Sequence, residues 1–292
     1  MPNFIALKRH YFNHRKGAAK SINRLNALVL LATLALTPAL CRPSSALAAD
    51  AGTQLTVFAA ASLHESFEAA APAFTAKTGT KVTFSFAGSD TLEAQIAEGA
   101  PADAFASANQ TQMHKAQDAG LLLGDPRVFA RNQLVIIVPK DNPAHIASAA
   151  DLGRSGVHVV LAAPTVPVGN YARTAFANLA KLPAYGPQFA QNVAANVVSN
   201  EVDVKAVVTK ISLGEADAGV SYLTDVTPGV AKSINTIPFP AGTAPEAVYP
   251  IAIVKASKNA DAAKAFIDFI LSPEGQVFLK ERGFIVGQPA TN

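Results

Sequence analysis

The 292-residue chain has no tryptophan, two methionines and one cysteine, Cys41. A lone cysteine excludes an internal disulfide framework and a multi-thiolate metal site. Histidine offers no substitute beyond residue 48: His64, His114, His145 and His158 are scattered, with no His-x-x-x-His pair, so no transition-metal cation site and no metal cofactor is expected. The G-x-S-x-G turn of a hydrolase nucleophile and the G-x-x-x-x-G-K-S/T phosphate loop are also missing. No charge block, low-complexity linker or fixed-period repeat interrupts the chain, which argues against tethered modules and solenoids.

The amino-terminal residues 1 to 48 read as an export signal. Lys8, Arg9, Arg15, Lys16, Lys20 and Arg24 precede an apolar run from Ala27 to Leu40, followed by Ala46-Leu47-Ala48, a small-x-small site with cleavage expected after Ala48. The run is short for a bilayer span, which disfavours a retained membrane anchor. Lipidation at Cys41 is the other alternative, disfavoured because Leu40 rather than a small residue precedes it. The mature protein is expected in the periplasm.

Removal of this segment reverses the charge. Seven of the 24 basic residues and none of the 21 acidic ones precede residue 49, leaving 17 against 21, or net −4. The basic character belongs to the signal, so nothing in the mature chain argues for nucleic acid or an acidic membrane as partner.

About 244 residues remain, enough for one large or two modest domains. Short β-rich runs alternate with amphipathic helices in a parallel α/β pattern: LTVFAA from Leu55, KVTFSF from Lys81, ADAFA from Ala102, QLVIIVPK from Gln133, VHVVLA from Val157 and GVSYL from Gly219 read as strands. Helices are expected from Leu63 to Thr78, Thr91 to Glu98, Tyr171 to Ala180 and Val204 to Leu213, with two more at the carboxyl end. Two α/β lobes with a discontinuous first lobe account for this order: residues 49–133 plus 251–292, and residues 134–250 between them.

Four segments place a small polar or backbone-donating residue where a helix begins: AAASLHESF, FAGSDTLEAQIAEG, TVPVGNYARTAF and NEVDVKAVVTKIS. A helix start presents free N–H groups and the positive end of the helix dipole, and so favours an oxyanion without Lys or Arg. Open α/β sheets bind ligands beyond the carboxyl ends of their strands, so a site in the cleft between the lobes is expected. Taken singly, Ser62 and Ser89 are more often helix caps, Tyr222 a core aromatic, and Val168 and Val204 core residues.

Together with NQLVIIVPK, GEADAGVSYLTD and FIDFILSPEGQVFLKERGF, these segments resemble the periplasmic molybdate-binding proteins, the soluble receptors of molybdate ABC importers, over nearly the whole mature length. The resemblance implies a two-lobe periplasmic binding protein type II fold closing on one tetrahedral dianion, molybdate or its mimic tungstate. It implies as ligands the hydroxyls of Ser62 and Ser89, backbone N–H groups of Val168 and Val204, and the phenol of Tyr222. Molybdenum would thus be held as an oxyanion and not as a free cation. It also implies a monomeric, non-enzymatic receptor whose partners are a membrane permease and its ATPase. At Val168 the family more often has alanine, a change expected to touch packing more than chemistry.

All five groups are donors. Molybdate, tungstate and sulfate are fully ionised at neutral pH and need no acceptor, whereas hydrogen phosphate carries a proton that needs one. Asp90, beside Ser89, is expected to cap the helix starting at Thr91; facing the ion instead, it would favour phosphate. Asp103 and Asp225 are expected in caps or inter-lobe contacts. Other readings are a receptor for sulfate or phosphate, an extracytoplasmic enzyme on the same two-lobe fold, or an adhesion module.

Overall fold

Leu55, Val57 and Ala59 are buried on one side of the first strand, and Phe58 and Ala60 on the other, as a strand covered on both faces requires. In the computed structural model, which describes residues 53–287, this strand lies inside the sheet of the first of two lobes, between two parallel neighbours. The export signal, its cleavage point and Cys41 lie outside the described residues. Among those described, no helix is long and apolar enough to cross a membrane.

The first lobe contains β1 (Gln54–Ala60), α1 (His64–Thr78), β2 (Lys81–Ala87), α2 (Ser89–Ala97), β3 (Ala104–Ala106), α3 (Gln110–Asp118) and β4 (Leu122–Asn132). The chain then enters the second lobe with β5 (Leu134–Pro139), β6 (Val159–Ala162), α4 (Pro167–Leu179), α5 (Phe189–Ala195), β7 (Val197–Glu201), α6 (Val204–Ser212), β8 (Ala218–Tyr222) and β9 (Ile234–Pro238). It returns to the first through β10 (Ala247–Val254), α7 (Ala260–Leu271) and α8 (Pro273–Lys280).

The two sheets share one plan. The first has the order β2-β1-β3-β10-β4 and the second β7-β6-β8-β5-β9. In each, three neighbouring strands are parallel: β2, β1 and β3 in one, β7, β6 and β8 in the other. An antiparallel strand is added beside them, β10 against β3 and β5 against β8. The sheets are therefore mixed, not parallel throughout as the strand–helix alternation implies. The antiparallel strands are the ones that carry the chain between lobes, and so run against the βαβ direction.

All of β10 pairs within the first sheet, so the return crossing lies before Ala247 and not at the 250/251 division expected from the sequence. Pro250 interrupts the strand: it has no N–H to donate, and the register with β4 shifts between Tyr249 and Pro250.

Each lobe has its own aromatic core. Phe67 lies 5.7 Å from Phe266 and 5.8 Å from Phe129, and Phe74 lies 5.3 Å from Phe266, which ties α1 and α7 to the first sheet. In the second lobe Phe176 of α4 packs edge-on against Phe189 of α5 at 6.2 Å. Each such fully buried side chain contributes about 1.5–3 kcal/mol, giving the lobes the stiffness that a hinged site requires.

Candidate functional site

Two helices begin earlier than their hydrophobic periodicity implies, and this decides what their first residues do. α2 starts at Ser89, not Thr91, with Gly88 as its cap and no side-chain cap. Ser89 is thus inside the first turn, and its hydroxyl is released from capping. α4 starts at Pro167, four residues before Tyr171, again with no side-chain cap at Val166. A tight turn over Ala61–Leu63 leads into α1, and Ala60 before it provides no cap either. Of these four helix starts, that of α6 is the one closed by a side chain, Asp203 accepting from the Ala206 N–H at 2.9 Å. Three helix starts therefore keep first-turn N–H groups that no side chain satisfies.

These starts converge. One cavity is lined by Ala60, Ala61 and Ser62 after β1, by Ala87, Gly88 and Ser89 after β2, and by Ala108 after β3. From the second lobe come Val166, Pro167 and Val168 after β6, Asp203 and Val204 after β7, and Tyr222 at the end of β8. Every lining residue thus stands at or just beyond the carboxyl end of one of the six parallel strands, where the loop turns into a helix. The structure brings Ser62, Ser89, Val168, Val204 and Tyr222 together here.

Their hydrogen bonds define what each can still do. Ser89 Oγ, fully buried, accepts from the Ala108 N–H at 3.0 Å, which leaves its hydrogen free. Ser62 Oγ lies 3.0 Å from the Tyr249 hydroxyl. The Tyr222 hydroxyl is buried without a partner. Burial holds that phenol well above its ordinary pKa, so it stays protonated and can donate.

Two glycines make the convergence possible. A Cβ on Gly88 would stand 2.6 Å from the Val202 carbonyl oxygen of the opposite lobe. One on Gly169 would stand 2.2 Å from the Ala163 oxygen, where α4 folds back onto the end of β6.

Asp90 neither caps α2 nor lines the cavity. Its Oδ2 accepts from Thr165 Oγ1 in the other lobe at 2.6 Å, which corrects both readings of this residue drawn from the sequence. The helix begins at Ser89, so Asp90 is already in its first turn and points across the cleft. Beside it, Gln112 Nε2 donates to the Thr165 carbonyl at 2.9 Å.

Sequence reasoning missed a cation close to the cavity. Lys205 follows Val204 on α6, and its ammonium reaches Glu65 of α1 at 2.8 Å and stands 3.0 Å from Asp225 Oδ1. Desolvation alone would lower the Lys205 pKa, but Asp225 and Glu65 outweigh it and raise it. Burial raises Asp225, partly offset by Lys205. The triad is internally neutralised to a net single negative charge, and no Lys or Arg lines the cavity. The helical spacing from Glu65 and Lys205 to Ser62 and Val204 gave only a weak signal for it. Asp203 was also missed; its carboxylate lines the cavity but is spent on the α6 start.

Asp103 is structural, as expected: it accepts from the Thr56 N–H at 2.8 Å and from Ser257 Oγ at 2.6 Å. No group of three or more His, Cys, Asp or Glu positioned to hold a metal ion occurs among the described residues.

Residues 55–285 match the bacterial extracellular solute-binding protein family. A molybdate-binding protein of Mycobacterium tuberculosis is 37% identical over 79% of this chain and 84% of its own length. A molybdate-binding protein of Escherichia coli is 32% identical over 82% of this chain and 91% of its own length. Among solved structures, the sulfate-binding protein of M. tuberculosis superposes with a TM-score of 0.73 at 22% identity, covering 82% of this chain and 88% of that one, a likeness of fold alone.

Proposed function

The chain belongs to the bacterial extracellular solute-binding protein family, and from that premise we propose that it captures molybdate, with tungstate as a close mimic, and delivers it to the permease of an ABC importer driven by its ATPase. The observation that carries this reading is the buried, unpartnered Tyr222 hydroxyl in a cavity where three uncapped helix starts also converge. A buried phenol without a partner is costly, and first-turn N–H groups need an acceptor, so an acceptor-only guest satisfies both at once.

Ser62, Ser89 and Tyr222 donate through hydroxyls, and Val168 and Val204 through backbone N–H groups. A dianion of four oxygens and no hydrogen is the complement of that set. Affinity then rests on preorganised neutral dipoles in a water-poor cleft, which ionic strength screens less than a Lys/Arg site. Asp203 contributes a like charge at the rim of the set, but its carboxylate is bonded to the α6 start, whose dipole offsets it.

Closure follows from the contacts that join the lobes. Asp90–Thr165, Gln112–Thr165 and Glu65–Lys205 form only when the two lobes approach. A ligand that bridges donors of both lobes shifts the hinge towards that state, the form a permease can recognise. In keeping with the solute-binding family, the protein is read as a monomeric, non-enzymatic receptor that works without a cofactor, exported to the periplasm by a cleaved signal.

Isothermal titration of the mature protein, stripped of bound ion by partial unfolding and dialysis, tests this. One-to-one binding of molybdate and tungstate with little response to sulfate or phosphate is the expected result. Preference for sulfate or phosphate would move the substrate, and silence towards all four would reject the receptor reading.

A further inference from the structure

Behind Ser62 lies a chain of buried hydrogen bonds that the five cavity donors do not include. It begins at Asn132, the last residue of β4 and the point where the chain leaves the first lobe. Asn132 Oδ1 accepts from the Gln133 N–H at 2.9 Å, which fixes which way the amide faces. Its Nδ2 then donates to Thr224 Oγ1 at 2.7 Å and to the Tyr249 hydroxyl at 3.4 Å. Tyr249 is wholly buried on β10, and besides Asn132 the one side chain within hydrogen-bond distance of its hydroxyl among the described residues is Ser62, with Oγ at 3.0 Å.

The direction of the last bond follows from the first. A phenol oxygen that accepts from an amide N–H keeps its own hydrogen for its other neighbour. The reverse arrangement, with Ser62 donating to Tyr249, would leave a buried phenol hydrogen with no acceptor, because Nδ2 of Asn132 cannot accept. Ser62 Oγ therefore receives from Tyr249 and turns its own hydrogen into the cavity it lines. Burial also keeps Tyr249 well above the ordinary phenol range, so the donated proton is always present.

We propose that Tyr249, set by Asn132, is a positioning residue that occupies one lone pair of Ser62 Oγ, turns the Ser62 hydrogen towards the cavity and so disfavours protonated oxyanions at the site. The inference rests on the oxyanion reading above and deepens it: selectivity against hydrogen phosphate and hydrogen arsenate comes also from how the serine hydroxyls are oriented, not only from the choice of donors. Ser89 is constrained in the same sense by the Ala108 N–H, so each serine has one lone pair engaged within the protein and its hydrogen left for the cavity.

The test compares the wild type with Tyr249→Phe and Asn132→Asp by titration with molybdate, sulfate, phosphate and arsenate between pH 6 and 8.5, after circular dichroism has shown each variant folded. In Tyr249→Phe the Ser62 rotor is freed and can accept a proton. Molybdate binding should weaken about tenfold, while the ratio of phosphate to molybdate affinity rises at least about tenfold, most at the pH values where phosphate is monoprotonated. Asn132→Asp supplies an acceptor instead of a donor, turns the Tyr249 hydrogen away from Ser62, and should weaken molybdate more than Tyr249→Phe does. Equal weakening of every anion by Tyr249→Phe, or no change at all, overturns the proposal.

Failure of the underlying reading is told apart by the wild type and by a measurement that needs no ligand. If the wild type binds none of the four anions, the receptor reading fails. Nuclear magnetic resonance of the ion-free protein labelled in its tyrosine rings still decides the relay: a slowly exchanging Tyr249 hydroxyl proton close to the Ser62 β protons supports it, and a hydroxyl proton in fast exchange with solvent overturns it.

Discussion

Asp90 on the first lobe and Thr165 on the second are joined across the cleft by a 2.6 Å hydrogen bond in which the threonine hydroxyl donates to the carboxylate. The other carboxylate oxygen of Asp90 is buried with no partner. This contact exists only with the lobes together, so it stabilises the closed form and contributes to the ligand's apparent affinity. Thr165→Val keeps the shape and deletes the donor. Hydrogen bonds to charged groups are worth roughly 1.5–3 kcal/mol, so molybdate affinity should fall by about tenfold or more, mainly through faster release. Stopped-flow dissociation and small-angle scattering of the loaded protein check this; an unchanged release rate would show that the bond does not hold the cleft shut.

Lys205 joins a buried and a half-exposed carboxylate, and the two ends should respond differently. Lys205→Met strands Asp225, wholly buried, and breaking such a pair typically costs about 3–5 kcal/mol of stability. Chemical denaturation should show a loss of that order. Glu65→Gln removes only the cross-cleft end and should mainly weaken closure, visible as reduced affinity with a loss of stability smaller than that of Lys205→Met.

The same triad sets a pH dependence. Burial alone would raise Glu65, but the Lys205 hydrogen bond and charge hold its carboxyl below the ordinary value of 4.5. A depressed folded-state pKa contributes stability at pH above the unfolded value, and that contribution is lost as pH falls through the folded one. Urea denaturation of wild type and Glu65→Gln should therefore differ by a constant amount from pH 6 to 8 and converge in acid, below the ordinary glutamate range. Asp225, raised by burial, works in the opposite sense, since its protonation relieves a buried charge. Subtraction of Glu65→Gln from wild type isolates the Glu65 share.

The site was more legible in the sequence than the sheets that present it. Ser62, Ser89, Val168, Val204 and Tyr222 belong to short segments whose order along the chain fixes their place beyond strand ends, and all five line one cavity. β4 was not legible: Gly124, Asp125 and Pro126 are residue types that favour turns, yet they lie inside an 11-residue strand that β10 holds through two register shifts. α3 was hidden because its sequence QTQMHKAQD is polar almost throughout, and only Met113 and Ala116 pack inward with Gln112. Asp90 and Lys205 could not be placed, because what each does is decided by the opposite lobe, far away in sequence.

Ser89 combines two roles, accepting from Ala108 and lining the cavity with its hydrogen free. Ser89→Ala should weaken molybdate binding by about 1–3 kcal/mol, through a lost charge-assisted bond and an Ala108 N–H left unpaired. Titration calorimetry reads this directly, and unchanged affinity would remove Ser89 from the ligand set.

Gly169 carries no side chain to the ligand, yet its substitution should be among the most damaging. A methyl group there meets the Ala163 oxygen at 2.2 Å and the Ala162 oxygen at 2.4 Å, both backbone atoms that cannot rotate away. Gly169→Ala must therefore push the first turn of α4 off the end of β6, carrying the Val168 N–H with it. Overpacking of this kind costs typically 1–3 kcal/mol in stability, and the displaced donor should add a further loss of affinity. Ala172→Gly, one turn along the same helix and away from the cavity, provides the contrast: roughly 1 kcal/mol of helix stability is lost, with little change in binding. If Gly169→Ala and Ala172→Gly lower affinity equally at matched stability, the backbone position of the α4 start is not what the ligand reads.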